Sequence, residues 1–475
     1  MRLAYVTLWI LVSFSFGAPA PGRPPNIVFI LADDLGWAEL GCYGSAFNET
    51  PHLDQLARDG LRMTEAYAAA PVCSPYRASF LTGQYPIRHG LLDYLRPTTS
   101  TPLSPRHVTI AERLKAAGYV TGMIGKWHLS GYKYHKAPIE LRATDHGFDE
   151  ELVTEIKGVG NGANFFPYVF RTQSISWNSA GKERLLPGKE FLVDRMNHEA
   201  IRFIEQHREK PFFLYLSHFA PHSILNGKSD LVEKYRRKHP PGKSTRSQCY
   251  LCQDAGLEGD PLNHWAGDHN PHLAAMIESV DQGVGMIVKK LEELGLGNDT
   301  LLIFTSDNGG ELKVTSNAPL RGGKSQLYEG GIRVPLIVKW PGKVPGDKVC
   351  SSPTSNVDFY PTFLEAGGLK GDDSQILDGR SVLDLFQRPG AERKERTLYW
   401  HYPLPKPHFL GGVSAGAIRK GNWKLIEWFG KKEVSLFDLD RDPGEKRDLA
   451  AIHPEMAERL QGRLSDWRNS IPPTK

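Results

Sequence analysis

Four short stretches of this chain are apolar from end to end and then stop at charged or imidazole-bearing residues. In "NIVFILADD" Ile27–Leu31 precede Asp33 and Asp34. In "YVTGMIGKWH" Tyr119–Ile124 precede Lys126 and His128. In "PFFLYLSHFAPH" Phe212–Leu216 precede His218 and His222, and in "TLLIFTSDNGG" Leu301–Thr305 precede Asp307 and Asn308. A strand with one wet face alternates apolar and polar residues, whereas an unbroken apolar run suits a strand covered on both faces. "RVPLIVKW" reads as a further core strand, and helical patterns such as "HVTIAERLKAAG" and "HLAAMIESVDQGVGMIVKKLEELG" fall between the runs. Strands alternating with helices predict an α/β fold built on a large, mostly parallel sheet sandwiched by helices. Ligands of such sheets bind beyond the carboxyl ends of the strands. Four polar strand ends at that edge predict one shared site.

From about Gly368 the texture changes. "GDDSQILDGR" is a polar connector, followed by short strand-like pieces in "RTLYWHYP", "AGAIRKGNWKLIEW" and "VSLFDLDRDPGEKRDLA", and by a final helical pattern, "PEMAERLQGRLSDWRNS". The expected organisation is a large α/β domain over 24–368 and a smaller C-terminal α+β subdomain over 375–475, an antiparallel sheet plus helix. Residues 1–20 read as a secretory signal peptide, with cleavage between Gly17 and Ala20. Its apolar run of about a dozen residues is shorter than the roughly 20 of a membrane span; an N-terminal anchor is the alternative. No second span is visible, so no stable membrane insertion is expected. The reading is an exported protein, periplasmic or extracellular, or lysosomal in a eukaryote. With a formal net charge of +4 in 475 residues and no dense basic run, nucleic acid is not an expected partner.

Five cysteines in so long a chain do not make a disulfide scaffold. Cys249 and Cys252 form a CxxC without the second ligand pair that zinc needs, which leaves a local disulfide or free thiols. Cys42 and Cys350 are expected to be buried or inert. Cys73 is different. In "AAPVCSPYRASFLTGQYPIRHG" Pro75 suits a first helical turn, so Cys73 sits at or just before a helix start, with Arg77 on the same helical face. A helix N-terminus beside an arginine is an anion site. A lone cysteine in that place would read as structural.

"CSPYRASFLTG" resembles the sulfatase signature, cysteine-x-proline-x-arginine followed by leucine-threonine-glycine. "NIVFILADDLGWAELGCYG", "GKWHLS", "TSDNGG" and "PLRGGKSQLYEGGIRVP" resemble further sulfatase blocks in the same order, so the resemblance spans nearly the whole mature chain. It implies an alkaline-phosphatase-like fold. It also implies that a maturation enzyme oxidises Cys73 to formylglycine (3-oxoalanine). A serine or cysteine that attacked a sulfate ester would be left as a stable sulfo-enzyme. A hydrated aldehyde has two hydroxyls, one to attack sulfur and one to expel sulfate afterwards, so the covalent intermediate has an exit.

Asp33, Asp34, Asp307 and Asn308 supply hard oxygen ligands, which suit calcium or magnesium rather than zinc. The resemblance implies one Ca2+ per chain, with Mg2+ second to it, and the oxygen at Cys73 also on the metal. It further implies that Lys126 and Lys324 clamp the sulfate and that Arg77 holds the hydrated aldehyde and the metal shell. His128 is implied to take the proton from the second hydroxyl. His218 is the expected donor to the leaving alcohol, with His222 its competitor, and Asp307 activates the attacking hydroxyl. Histidine suits proton transfer near neutral pH. His89 reads as a support behind the site residues or as structural.

The expected substrate is a sulfated oligo- or polysaccharide, with 4-O-sulfated galactose or N-acetylgalactosamine as the unit; aryl sulfates should also react. "HYPLPKPHFLGGVSAGAIRKGNWKLIEWF" resembles a segment of bacterial sulfatases of the arylsulfatase-A-like branch. His222, His401, His408 and Trp400 are candidates for the sugar pocket, although Trp400 and Trp423 could equally be packing residues. Two rival readings stand beside this one. The first is a formylglycine-dependent phosphodiesterase or phosphonate monoester hydrolase of the same superfamily. The second is a non-catalytic sulfoglycan-binding protein. Asn48 and Asn298 lie in glycosylation sequons.

Overall fold

All five apolar runs are strands in the computed structural model, which describes residues 23–96, 101–130, 141–154, 164–170, 173–174, 185–188, 190–223, 225–238, 269–371, 375–391 and 395–472. In chain order the strands are β1 (Asn26–Ala32), β2 (Leu61–Tyr67), β3 (Val120–Lys126), β4 (Glu150–Thr154), β5 (Val169–Phe170), β6 (Gln173–Ser174), β7 (Phe212–Ser217) and β8 (Thr300–Ser306). They continue with β9 (Arg333–Lys339), β10 (Lys348–Cys350), β11 (Thr354–Ser355), β12 (Thr397–Tyr402), β13 (Ala415–Lys420), β14 (Trp423–Trp428) and β15 (Glu433–Asp438). The leader segment 1–20 and the Cys249–Cys252 pair lie outside the described residues.

The main sheet runs β10-β2-β9-β8-β1-β7-β3-β4, with β11 also paired to β2. β8, β1, β7, β3 and β4 are mutually parallel. β9 is antiparallel to both β8 and β2, so "RVPLIVKW" is a core strand that runs against its neighbours. β2 has an alternating burial pattern and a register shift between Met63 and Ala66. Its sequence, "LRMTEAY", has no apolar run and so carries no local signal of a core strand.

The continuous apolar character of the central strands follows from two cores. Ile27, Phe29 and Leu31 of β1 point into one; Val28, Ile30 and Ala32 point into the other. The strand period of two divides one run between both faces. The helices Cys73–Thr82, Ile110–Ala116 and Phe359–Ala366 bury side chains in the first core. Those at Pro51–Asp59, Leu192–His207 and Pro271–Glu293 bury theirs in the second. Each large aliphatic or aromatic side chain hidden this way contributes about 1.5–3 kcal/mol. Local signals set the helix starts. Thr109 and Glu112 form a capping box, and Asn270 accepts from the backbone N–H groups of His272 and Leu273.

β12 to β15 form a separate antiparallel meander with the helix Pro454–Asn469 on one face. Alternation along β12 decides which residues meet the main body. Leu398, Trp400 and Tyr402 join a cluster with Tyr67, Val72 and Ile332. The Trp400 indole N–H donates to the Ala68 carbonyl at 2.7 Å, so Trp400 is a packing residue. Lys424 of β14 is entirely buried, 2.9 Å from both Glu329 and Glu445.

Candidate active site

The carboxyl ends of β8, β1 and β7 are tied together by the backbone before any side chain contributes. Asp33 N–H donates to Ala220 O at 3.0 Å, His218 N–H to Leu31 O at 2.8 Å, and Asp307 N–H to Ala32 O at 3.2 Å. The Asp34 N–H donates to the Asp307 carboxylate at 3.1 Å. Asp34 and His128 both take the left-handed conformation, with φ of 64° and 56°. Non-glycine residues occupy it at a cost that clusters at functional sites. The sharp turns let each strand end aim its side chain back across the edge.

Cys73 is the first residue of the helix Cys73–Thr82 and is 1% exposed. Its thiol lies 3.4 Å from Asp33 Oδ1. Burial, and then the Asp33 carboxylate, push this thiol well above its ordinary range. One helical turn on, Arg77 donates through Nη1 to the Lys126 carbonyl at 2.8 Å and to the Ser217 hydroxyl. Its Nη2 donates to Asp307 at 2.8 Å and lies 3.7 Å from Asp33. Lys126 donates to Asp33 Oδ2. Lys324 donates to Asp34 Oδ2 at 2.6 Å and to His222 Nε2 at 2.9 Å. Three carboxylates, Asp33, Asp34 and Asp307, thus interleave with three cations, Arg77, Lys126 and Lys324. Burial alone would raise Asp33, but Lys126, His222, Arg77 and Lys324 hold it well below the usual carboxylate range. Asp307 goes the other way, raised by burial and by Asp33.

The donor set fits a hard divalent cation. Asp33, Asp34, Cys73 and His222 each place one ligand atom within 4.8 Å of the others. The Asn308 amide donates to Asp34 Oδ1 at 2.8 Å. Its own Oδ1 is buried with no hydrogen-bond partner among the described residues, as an oxygen kept for a cation would be.

The three histidines differ. His128 Nε2 lies 2.9 Å from the Leu95 carbonyl, which assigns its proton to that nitrogen and leaves Nδ1 as the unprotonated one, buried and unpartnered. Burial and Lys126 keep this ring neutral, well below the ordinary imidazole range. His222 Nδ1 bonds to the Ser223 carbonyl, so Nε2 is the acceptor facing Lys324. Burial lowers His222 to about 4. His218, lowered by burial to about 3, has both ring nitrogens buried without a partner. The geometry therefore brings His222 into the cluster, and no side-chain bond links His218 to it.

His401 faces elsewhere. Its ring packs on Phe429 at 5.5 Å, near Arg468 and Glu427, on the opposite face of β12 from Trp400. His408, on the following loop, lies in the field of Lys324 and Asp34 and meets Tyr94 edge-on at 5.5 Å. His89 bonds to Ser79 within its own helical region. Sequence reasoning missed Ser217, Ser223 and the Leu95 carbonyl. Hydroxyls and carbonyls that steady arginine or imidazole have no sequence signal of their own.

The Sulfatase family model matches residues 25–369, and a model described as N-sulphoglucosamine sulphohydrolase, C-terminal, matches 323–470. The steryl-sulfatase of Mus musculus is 32% identical, over 91% of this chain and 79% of the relative. The N-acetylgalactosamine-6-sulfatase of Canis lupus familiaris is 30% identical, over 96% and 87%. Among solved structures, Ps i-CgsB in complex with k-i-k-neocarrahexaose superposes with a TM-score of 0.77 at 29% identity, covering 94% of this chain and 93% of that one. No helix among the described residues is long and apolar enough to cross a membrane.

Proposed function

This chain belongs to the sulfatase family and is a sulfuric ester hydrolase, and on that premise we propose that it removes O-sulfate from galactose or N-acetylgalactosamine units of a glycan through a formylglycine made from Cys73. The observation that carries the reading is Cys73 itself. It opens a helix inside a shell of three carboxylates and three cations, yet as a buried thiol bonded to Asp33 it is a poor nucleophile. Conversion to the aldehyde by a maturation enzyme would supply a hydroxyl for attack at sulfur and a second to release sulfate.

Asp33, Asp34, Asp307 and Asn308, with the oxygen at position 73, would hold the cation, for which calcium fits best; when bound it supplies Lewis-acid polarisation of the sulfate and of the attacking hydroxyl. Arg77, anchored on Lys126, Ser217 and Asp307, orients residue 73. The Lys126 and Lys324 ammonium groups offset charge on the sulfate oxygens as the ester bond breaks. His128, whose buried Nδ1 has no hydrogen-bond partner among the described residues, serves as the base for the second hydroxyl of residue 73. Lys324 gives a proton from its ammonium to the departing alcohol, held in place by its bond to His222 Nε2 at 2.9 Å; the sequence reading gave the donor role to His218 with His222 as its competitor.

The galactose-type unit is supported by the N-acetylgalactosamine-6-sulfatase relative and by the carrahexaose-bound neighbour. The C-terminal loop motivates the 4-position and the relative's name the 6-position. The leader-like segment 1–20 motivates export, tested by recovering the activity outside the cytoplasm. The deciding experiment combines a mass for the peptide 69–77 with sulfate release from 4-nitrophenyl sulfate and from paired 4- and 6-sulfates of galactose and N-acetylgalactosamine. An aldehyde or its hydrate at position 73, with turnover of one sugar sulfate, is expected. Active protein with an unmodified thiol, or faster cleavage of an aryl phosphodiester than of the aryl sulfate, would overturn the proposal.

A further inference from the structure

The loop from His408 to Val413 has two sides. It is closed by His408 N–H to Gly412 O at 2.7 Å and Gly411 N–H to His408 O at 2.9 Å. On one side Gly412 lies against Ser325, next in the chain to Lys324; a Cβ on Gly412 would come within 2.0 Å of the Ser325 carbonyl oxygen. On the other, Gly411 and Val413 wall a cavity of about 360 Å³, within the roughly 300–1,000 Å³ range of small-molecule sites.

The opposite wall is aromatic. Trp428 and Tyr328 stand 5.7 Å apart, their planes at 53°. Both rings are held, Trp428 by its indole N–H to Ser435 Oγ at 3.2 Å and Tyr328 by the Arg321 guanidinium 4.0 Å over its face. Both rings are half-buried, so each keeps part of its surface open to the cavity they line. Gln326 joins this wall to the loop by donating to Leu410 O at 3.3 Å and lies two residues after Lys324. Gly411 has φ of 93°, and a Cβ there would come within 2.8 Å of the Gln326 amide. A side chain at 411 would crowd the cavity as well as strain the loop.

We infer that this cavity is a second carbohydrate subsite, holding a pyranose ring of the substrate chain while a different, sulfated unit occupies the cluster at Cys73. The inference rests on the sulfatase reading. Its chemistry is that of sugar recognition: an aromatic face for the ring C–H groups, with an amide, Gln326, one cation, Lys431, and one carboxylate, Glu433, for hydroxyls. Lys431 and Glu433 cancel in charge, so the site suits a neutral ring rather than a second sulfate. Gln326 lines the cavity two residues from Lys324, and the subsite requires a substrate of several units to reach both.

The test compares Trp428→Ala and Val413→Trp with wild type. Substrates are 4-nitrophenyl sulfate, sulfated monosaccharides, and sulfated hexasaccharides of the galactan, chondroitin and heparan types. Wild type should prefer a hexasaccharide to its constituent sulfated monosaccharide. Both variants should lower that preference about tenfold, through KM, and leave aryl sulfate turnover unchanged. Absence of any such preference in wild type, or its survival in Val413→Trp with the cavity filled, overturns the subsite. Absence of aryl sulfate turnover in wild type would instead defeat the sulfatase mechanism.

Discussion

At the scale of single residues, the site is a problem of charge in a dry place. Cys73→Ala should abolish sulfate release while the protein still melts cooperatively, because the residue donates only one weak bond to Asp33. His222→Gln should cost about 10²–10⁴-fold in kcat on a sugar sulfate. It should cost less on an aryl sulfate, whose leaving oxygen needs no proton, whereas His218→Gln should leave both rates near wild type. A loss confined to His218→Gln would return the proton donor to His218. Treatment with a chelator should stop turnover and added Ca2+ should restore it. The two sequons also separate at this scale. The Asn48 amide is buried and donates to Glu39 O at 2.9 Å, whereas Asn298 is exposed. Expression in a glycosylating host should yield glycopeptides at Asn298 and none at Asn48.

At the scale of elements, the catalytic residues are only as well placed as the strand ends that carry them. Gly125 precedes Lys126 with φ of 105°, and a Cβ there would meet Ser217 O at 2.0 Å and Met196 Cε at 2.3 Å. Gly125→Ala should therefore destabilise by about 2–4 kcal/mol, read as a lower melting temperature, and should lose activity by displacing Lys126. A more distant element is held by a borrowed cap. Asp281, in the helix Pro271–Glu293, accepts from the Leu53 N–H at 2.7 Å and the His52 N–H at 3.3 Å, at the start of the helix Pro51–Asp59. The N-cap Thr50 makes no side-chain cap bond of its own. Asp281→Ala should cost about 1–2 kcal/mol in denaturant unfolding.

At the scale of the molecule, a shared apolar cluster, the Arg419–Glu65 pair and a buried ion triad of Lys424, Glu329 and Glu445 all join the small sheet to the large one. Lys424→Met removes the ammonium shared by Glu329 and Glu445, leaving Arg333 beside Glu329 but no ion pair to Glu445 among the described residues, and should cost about 3–5 kcal/mol. The triad also sets a pH dependence. Burial, partly offset by Lys424, and the adjacent Glu329 hold the Glu445 carboxyl at about 7, above its ordinary 4.5. Folding takes up a proton at a group raised in this way. Its contribution is full below the unfolded value and is lost as pH climbs through about 7. Burial would raise Glu329 too, but Lys424, Arg333 and Arg419 pull it below its ordinary value, so its contribution is lost only as pH falls. Melting temperatures measured from about pH 5 to about pH 8 should show a decline that Glu445→Gln flattens; an unchanged slope in that variant would refute the assignment.

The sequence by itself determined the sheet and the edge at which the chemistry sits. A strand buried on both faces must be apolar throughout, so β1, β3, β7 and β8 announced themselves, and the polar residues ending each run had to share one side of a parallel sheet. The helix start at Cys73 was equally legible, since Pro75 and Arg77 act locally. Tertiary structure decided what depends on direction and distance. β9 runs antiparallel although its apolar run looks like the others, because burial is blind to strand direction. His401 and Trp400 are neighbours in sequence yet lie on opposite faces of β12, and only the packing of the two sheets says which face looks inward. His222 replaces His218 beside Lys324 because the turn after β7 returns the later imidazole to the cluster, and no local pattern encodes that return.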